Sequence, residues 1–203
     1  MMLSLLLVIP FLGAFALLLW PSDPAPGRMR AIAITTLALQ LLWSLRVLLA
    51  FDPRLGGMQL QESLSWVPMI GLDYRLGIDG LSLPLVLMNG ALTLVSAVCT
   101  RDISQRPRIY FALLLLISGA VNGAFLAENL LLFFLFYELE LIPLWLLISI
   151  WGGAERAYAA TKFLIFTAIS GVLILGAFLG LALFTGTVDF SLTPILSERL
   201  AMG

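Results

Sequence analysis

The sequence has no histidine, one cysteine (Cys99) and one lysine (Lys162). A single cysteine excludes a disulfide framework, and together with the missing histidine it argues against haem, iron–sulfur or structural zinc sites in this chain. Without histidine there is also no nucleophile–base set of the usual kind, and no glycine-rich phosphate cradle follows a strand. We therefore expect no cofactor and no metal in this chain.

Charge is also scarce. Charged residues make up 11% of the 203 residues and the formal net charge is -1, so nothing indicates a nucleic-acid partner. Hydrophobic residues reach 61% and the mean hydropathy is +1.07. Because soluble domains are about 45–50% apolar, this composition indicates an integral membrane protein whose surroundings are the lipid bilayer.

In contrast to its few charged residues, the chain has long apolar runs. About 20 apolar residues cross the hydrocarbon core, and in lipid only helices and closed barrels satisfy their backbone. The alternating pattern of a barrel strand is absent. The sequence predicts an all-α bundle of about six transmembrane helices, over Leu3–Trp20, Ala31–Phe51, Ile78–Cys99, Ile109–Leu126, Leu130–Trp151 and Tyr158–Thr185. The first run is assigned to a helix and not to a signal peptide, because it has no basic residue before it.

The arginines predict an orientation. Loops 21–30, 100–108 and 152–157 lie on one side and carry six arginines, whereas the other side carries three. Since basic residues mark the cytoplasmic face, we expect the N-terminus, the long loop 52–77 and the tail to be non-cytoplasmic. The predicted organisation is residues 1–108 as three leading helices with their loops, 109–185 as helices four to six, and 186–203 as a tail.

Two carboxylates, Glu138 and Glu140, lie well inside the fifth apolar run. A charged side chain in mid-membrane costs roughly 2.5–3.5 kcal/mol on insertion scales, and such residues usually face a protein interior or a water-filled path. Burial favours the neutral acid and a nearby cation favours the carboxylate, so an acid held between these effects can take up and release a proton. The alternative is that both side chains only hydrogen-bond between helices.

The two acids are two positions apart, which is about 200° around a helix. We therefore expect one to face a neighbouring helix of this chain and the other to face a different helix or another subunit. Pro143 frees the carbonyl of Leu139, which could bind water beside the acids.

Three further features have two interpretations each. Lys162 could pair with a buried acid or extend to the cytoplasmic interface on its long stem. Asp79 could cap the third helix or have a functional role. The pairs Gly119/Gly123 and Gly176/Gly180 have the GxxxG spacing that permits close helix approach, which is a weak signal in a chain with 17 glycines.

Several segments together resemble a known family. Leu76-Gly-Ile-Asp-Gly-Leu-Ser82 with Pro84-Leu85, the run Tyr137-Glu-Leu-Glu-Leu-Ile-Pro143 continuing to Ile150-Trp-Gly-Gly153, and Ala159-Ala-Thr-Lys-Phe163 are similar to the chain-4 subunit of complex I. The second segment is most similar to the cyanobacterial and chloroplast version. The resemblance covers essentially all 203 residues in order.

The resemblance implies an antiporter-like, proton-pumping subunit of the membrane arm of an NAD(P)H dehydrogenase. NAD(P)H or ferredoxin, the iron–sulfur clusters and plastoquinone would then belong to other subunits, and the partners would be further membrane-arm subunits, in a cyanobacterial thylakoid membrane. The fifth-helix glutamate of the family, here Glu138, pairs with a lysine on a later, broken helix; Lys162 does not match that lysine.

The chain departs from the family in length, because the family has about fourteen transmembrane helices and this sequence predicts six. It therefore corresponds to an N-terminal portion and lacks the later lysines. Two alternatives remain: a subunit of a multi-subunit cation/proton antiporter, which shares the fold, or a truncated product with a scaffold role. The site residues expected from the sequence are Glu138, Glu140 and Lys162.

Overall fold

The computed structural model describes residues 1–20, 26–100, 103, 105–185 and 190. Within them lie six α-helices and one β-hairpin. The helices are α1 (Met2–Leu18), α2 (Pro26–Ala50), α3 (Ser82–Cys99), α4 (Pro107–Leu126), α5 (Leu130–Trp151) and α6 (Arg156–Thr185). The hairpin consists of β1 (Gln59–Val67) and β2 (Leu72–Ile78), joined by a 3-10 turn at Pro68–Ile70.

The six helices match the six predicted spans in order, and the bounds of the fifth are the same, but α2 begins at Pro26 and not at Ala31, inside the predicted loop 21–30. Five of them, α2 to α6, are long and apolar enough to cross a membrane, and α1 is a shorter apolar helix. The prediction of a bundle of transmembrane helices is therefore confirmed. It missed the hairpin, which occupies much of the segment that was predicted to be a long polar loop.

The third span begins later than predicted. Ile78 ends β2 and pairs with Gln59, so α3 starts only at Ser82. Asp79 lies between them, and its Oδ1 accepts hydrogen bonds from the amides of Leu81 and Ser82 at 3.1 and 2.7 Å. Burial alone would raise the pKa of Asp79, but the hydrogen bonds from Ser82 and Leu81 outweigh it and hold the pKa below its ordinary value. Of the two interpretations of Asp79, these bonds favour the cap.

Helix α4 is the centre of the bundle and α6 is its edge. In α4, 67% of the most apolar stretch is buried, against 6% in α6. Two glycines let neighbouring helices approach α4 closely: a methyl group at Gly119 would lie 3.1 Å from the ring of Phe11 on α1, and one at Gly123 would overlap the ring of Phe136 on α5. The first GxxxG pair therefore marks helix contacts, whereas Gly176 and Gly180 face open space in the structure.

The hairpin is attached to the bundle at two places. Glu62 of β1 accepts hydrogen bonds from the amides of Leu3 and Ser4, at 2.8 and 3.1 Å, at the start of α1. The other place is the turn between α4 and α5, where the amide of Glu128 donates to the carbonyl of Arg75 at 2.9 Å. Because these contacts join residues far apart in sequence, they hold the hairpin across one end of the bundle.

The opposite end of the bundle carries arginines that bind helix carbonyls. Arg30 donates to the carbonyls of Ala97 and Val98 at the end of α3, and Arg156 donates to Ile150 O at 2.9 Å. Carbonyls at a helix C-terminus carry partial negative charge, so a guanidinium there is favourable. The predicted tail 186–203 lies outside the described residues except for Phe190, whose carbonyl accepts from the amide of Leu130 at 2.9 Å.

Candidate proton-handling site between α5 and α6

Helix α5 begins at Asn129, whose side chain accepts hydrogen bonds from the amides of Leu131 and Leu132 at 3.0 and 3.1 Å. This cap fixes where the helix starts and so where every later side chain points. With about 100° between successive residues, Tyr137, Leu141 and Leu144 form one stripe along α5. All three line a cavity together with Phe163 and Thr167 of α6, so this stripe faces α6.

Glu138 lies on one side of that stripe. Its Oε1 atom is buried and has no hydrogen-bond partner among the residues that the structure describes. The same oxygen packs against Gly171 of α6 so closely that a methyl group at position 171 would overlap it. The carboxyl group is therefore held against bare helix backbone, where a larger residue could not fit beside it.

Glu140 lies on the other side of the stripe. It lines the α5–α6 cavity, which has about 210 Å³ of empty volume including its open mouth. Its other lining residues are Tyr137, Leu141, Leu144, Phe163 and Thr167. Glu140 is therefore the acid that faces a space, whereas Glu138 is packed against helix backbone.

Within the described residues both acids thus adjoin α6, and the expectation that they would face two different helices of this chain is wrong. That one of them also faces another subunit stays a prediction. Glu138 is about 90° from the centre of the stripe on one side, and Glu140 is about 70° from it on the other. A glutamate side chain is long enough to reach α6 from either flank. The 200° separation along α5 was therefore compatible with a single neighbour.

Lys162 is not brought to either acid. Its Nζ donates to the hydroxyl of Tyr158 at 3.4 Å and lies 5.4 Å from the centre of that ring, and the residue is exposed. No ion pair between Lys162 and Glu138 or Glu140 occurs within the described part of the chain. This position agrees with a side chain that extends along the helix surface.

Sequence reasoning missed Gly171, the residue that decides how closely α6 approaches Glu138. No sequence signal distinguished it, because Gly171 is one of three glycines in α6 and its level relative to Glu138 depends on the packing of the two helices. The described residues also contain no group of three or more histidine, cysteine, aspartate or glutamate side chains that could hold a metal ion.

Comparison with known proteins identifies the relatives of this chain. Residues 127–198 match the family described as NADH:quinone oxidoreductase/Mrp antiporter, TM. NAD(P)H-quinone oxidoreductase chain 4 1 of Synechococcus sp. (strain JA-3-3Ab) is 44% identical over 195 residues, which are 94% of this chain and 35% of that protein. The chain belongs to this family.

Solved structures agree with the sequence match. A chain of respiratory complex I from Thermus thermophilus with bound NADH superimposes with a TM-score of 0.84 at 29% identity, covering 98% of this chain and 39% of the other. The Mrp complex from Dietzia sp. DQ12-45-1b gives a TM-score of 0.81 at 22% identity, covering 100% of this chain and 22% of its own, and shows the same fold. The resemblance noted in the sequence and the antiporter-like fold are confirmed, and the chain is a multi-pass membrane protein. It spans about a third of the length of the curated relatives it matches.

Proposed function

We propose that this chain is part of a proton-translocating membrane-arm subunit of a complex-I-type oxidoreductase, with Glu138 as a protonatable group on the proton path. The redox partners, NAD(P)H or ferredoxin, iron–sulfur clusters and plastoquinone, belong to other subunits in this proposal. The further membrane-arm subunits are its partners, and a thylakoid membrane with the N-terminus non-cytoplasmic is its location. The chain itself carries no redox step.

The observation that carries the proposal is the buried Oε1 of Glu138, which has no hydrogen-bond partner within the described residues. A buried carboxyl oxygen without a partner is costly for either protonation state, and the ionised state needs either a cation or water. In such surroundings the balance between the protonated and ionised forms of an acid shifts strongly when a nearby charge changes or a water molecule reaches it. That response is what a proton-loading group requires.

Glu140 is proposed as a secondary group. It lines the α5–α6 cavity with Tyr137 and Thr167, so its carboxyl faces a partly polar space. Lys162 is retained only as a surface cation near the basic end of α6, because its observed contacts are with Tyr158.

The test compares Glu138→Gln with Glu140→Gln in membrane vesicles that contain the assembled complex. Glutamine keeps the shape of glutamate and removes its titration. We expect Glu138→Gln to lower quinone-linked proton uptake at least 10-fold, a loss of about 1.4 kcal/mol or more of coupling, and Glu140→Gln to lower it less. Proton uptake is followed with a pH-sensitive dye, and quinone reduction is measured in the same vesicles. Normal uptake by Glu138→Gln contradicts the proposal.

The second candidate is a subunit of a cation/proton antiporter without a redox partner. The likeness to the Mrp complex favours it as far as the fold goes. Purification of the native assembly distinguishes the two, because iron–sulfur subunits that co-purify support the first function. Sodium-dependent proton exchange by an assembly that lacks such subunits supports the second.

A further inference from the structure

The end of the bundle opposite the hairpin, here called the basic end, carries an excess of positive charge. The only carboxylate there among the described residues is that of Glu155. The cationic residues at or near this end are Arg28, Arg30, Arg106, Arg108, Arg156 and Lys162. At the hairpin end the balance is reversed, and the carboxylates of Asp52, Glu62, Asp73, Asp79 and Glu128 outnumber the arginines. Charge is therefore separated along the bundle, although the formal net charge of the chain is only -1.

Three of the arginines at the basic end are explained by the fold. Arg30, Arg108 and Arg156 donate to carbonyls at or just beyond the C-terminal ends of α3, α1 and α5. Arg28 and Arg106, in contrast, are exposed, and no hydrogen bond or ion pair within the described residues engages either guanidinium group. The contacts within the described fold therefore do not account for these two charges.

The neighbouring loops do not cancel the excess of positive charge. Outside the described residues, the connections at the basic end add Asp23, Arg101 and Asp102 to the sequence. With them included, this end has seven basic residues and three acidic residues. Basic side chains therefore remain available there even if every carboxylate is paired.

Exposed apolar side chains continue from the basic end along the helices. Leu18 and Leu19 at the end of α1 are exposed, and so are Val95 and Val98 near the end of α3. Trp20 is also exposed at the end of α1, and tryptophan is enriched at the boundary between headgroups and hydrocarbon. The surface thus combines cations at the helix ends with apolar side chains directly alongside them.

This combination distinguishes two kinds of occupant. An acidic segment of another subunit would neutralise the arginines but would leave the neighbouring apolar side chains uncovered. An anionic phospholipid has both parts in the required order, with a phosphate at the level of the helix ends and acyl chains alongside the helices. Anionic leaflets attract arginines that lie beside the ends of membrane helices, and a guanidinium group matches the geometry of phosphate.

We infer that the basic end of the bundle binds anionic phospholipids in preference to zwitterionic ones. Arg28 and Arg106 contact the phosphate groups, and the exposed ends of α1 and α3 contact the acyl chains. The inference concerns the lipid neighbours of this chain, and it does not depend on the proton-pumping proposal.

The experiment is photocrosslinking in vesicles that contain the assembled complex. Phosphatidylcholine vesicles receive a small fraction of a photoactivatable phosphatidylglycerol, or of the matching photoactivatable phosphatidylcholine, each with its reactive group at the start of one acyl chain. Mass spectrometry of the labelled chain locates the products. At the ends of α1 and α3 we expect about 5-fold or more label from the phosphatidylglycerol probe. This preference should become smaller at high salt, because salt screens exposed charges.

Two variants assign the preference to the arginines. Arg28→Gln combined with Arg106→Gln should bring the labelling by the two probes to within about 2-fold of each other, whereas Arg54→Gln, at an exposed arginine of the hairpin end, should leave the preference unchanged. Equal labelling of the wild type by both probes overturns the inference, and so does an unchanged preference in the double variant. Label from neither probe, as expected if an acidic subunit covers the arginines, overturns it as well. If the double variant does not assemble, the single variants and the salt dependence of the wild type decide the same question.

Discussion

The Oε1 atom of Glu138 is buried and packs against Gly171, so this oxygen meets α6 at a residue without a side chain. The position of the Glu138 carboxyl group therefore depends on how α5 and α6 pack. A carboxyl group held against backbone can be moved by a small displacement of α6. A larger residue at position 171 should therefore displace the Glu138 carboxyl group without much effect on the stability of the fold.

Gly171→Ala tests that relationship. The added methyl group would overlap the end of the Glu138 side chain, which is flexible and can move, while alanine improves helix propensity by up to about 1 kcal/mol. We expect little change in thermal stability, and a proton uptake several-fold lower because the carboxyl is displaced. The measurement is dye-monitored proton uptake together with the thermal transition of the purified assembly.

Gly176→Ala is the matched control, because the same substitution on the same helix meets open space in the structure. It should leave proton uptake unchanged. Equal effects of the two variants would show that Gly171 matters only as a helix residue.

Gly123→Ala tests the packing of α4 on α5. The methyl group would overlap the ring of Phe136 near its attachment, which cannot move away as the end of a long chain can. Overpacking of this kind costs about 1–3 kcal/mol, more than the helix propensity that alanine contributes. We expect a lower thermal transition in detergent than for the wild type. Gly180→Ala, which adds a methyl group in open space, should not lower it.

Glu62→Gln tests how the hairpin is held on α1. The N-terminal amine lies 2.8 Å from Glu62 Oε1, the amides of Leu3 and Ser4 also donate to the carboxylate, and so does the Ser4 hydroxyl. Burial alone would raise the pKa of Glu62, but these donors outweigh it and hold the pKa below its ordinary value of 4.5. Loss of a helix cap costs about 0.5–2 kcal/mol, and we expect a destabilisation of this order at neutral pH.

The pH dependence has a defined sign. Since the folded-state pKa of Glu62 is lowered, its stabilisation is fully present above 4.5 and is lost as the pH falls through the lower folded value. The difference between the thermal transition temperatures of the wild type and Glu62→Gln should therefore become smaller as the pH falls through the folded-state pKa. The exposed Glu155 offers a control, Glu155→Gln, that should show no such difference. A difference that stays constant into acid would contradict the role of the carboxylate.

Asn129→Ala tests the start of α5. Asn129 caps the helix through two amides, and its Nδ2 also donates to the carbonyl of Gly71 at 2.9 Å. Removing the cap should cost about 1–2 kcal/mol. Because α5 carries both acids, we also expect slower proton uptake. Asn129→Ser, which keeps a capping oxygen but loses the donor to Gly71, should recover part of the stability, and no recovery would argue against the cap.

The apolar runs predicted the helices well because transmembrane length and hydropathy are local properties. The fifth helix was predicted with the bounds that the structure has, Leu130–Trp151. The hairpin could not be predicted in the same way, because it is held by contacts distant in sequence, such as those of Glu62 with α1. It also displaced the start of the third helix from Ile78 to Ser82.

The candidate site was predicted in part. The position of Glu138 and Glu140 inside an apolar helix was readable from the sequence. The GxxxG spacing was not decisive, because it coincides with a close approach at Gly119 and Gly123 but not at Gly176 and Gly180. Which helix each acid contacts was not readable, because it depends on how α5 and α6 pack. For the same reason the sequence could not show whether Lys162 pairs with either acid, because the side chains within its reach depend on its position along α6.

Infrared difference spectroscopy of the assembled complex during turnover would follow the protonation of Glu138 itself. We expect a carboxyl band that changes between resting and active states and is absent in Glu138→Gln but present in Glu140→Gln. A Glu138 carboxyl that stays in one protonation state throughout turnover would contradict the proposal.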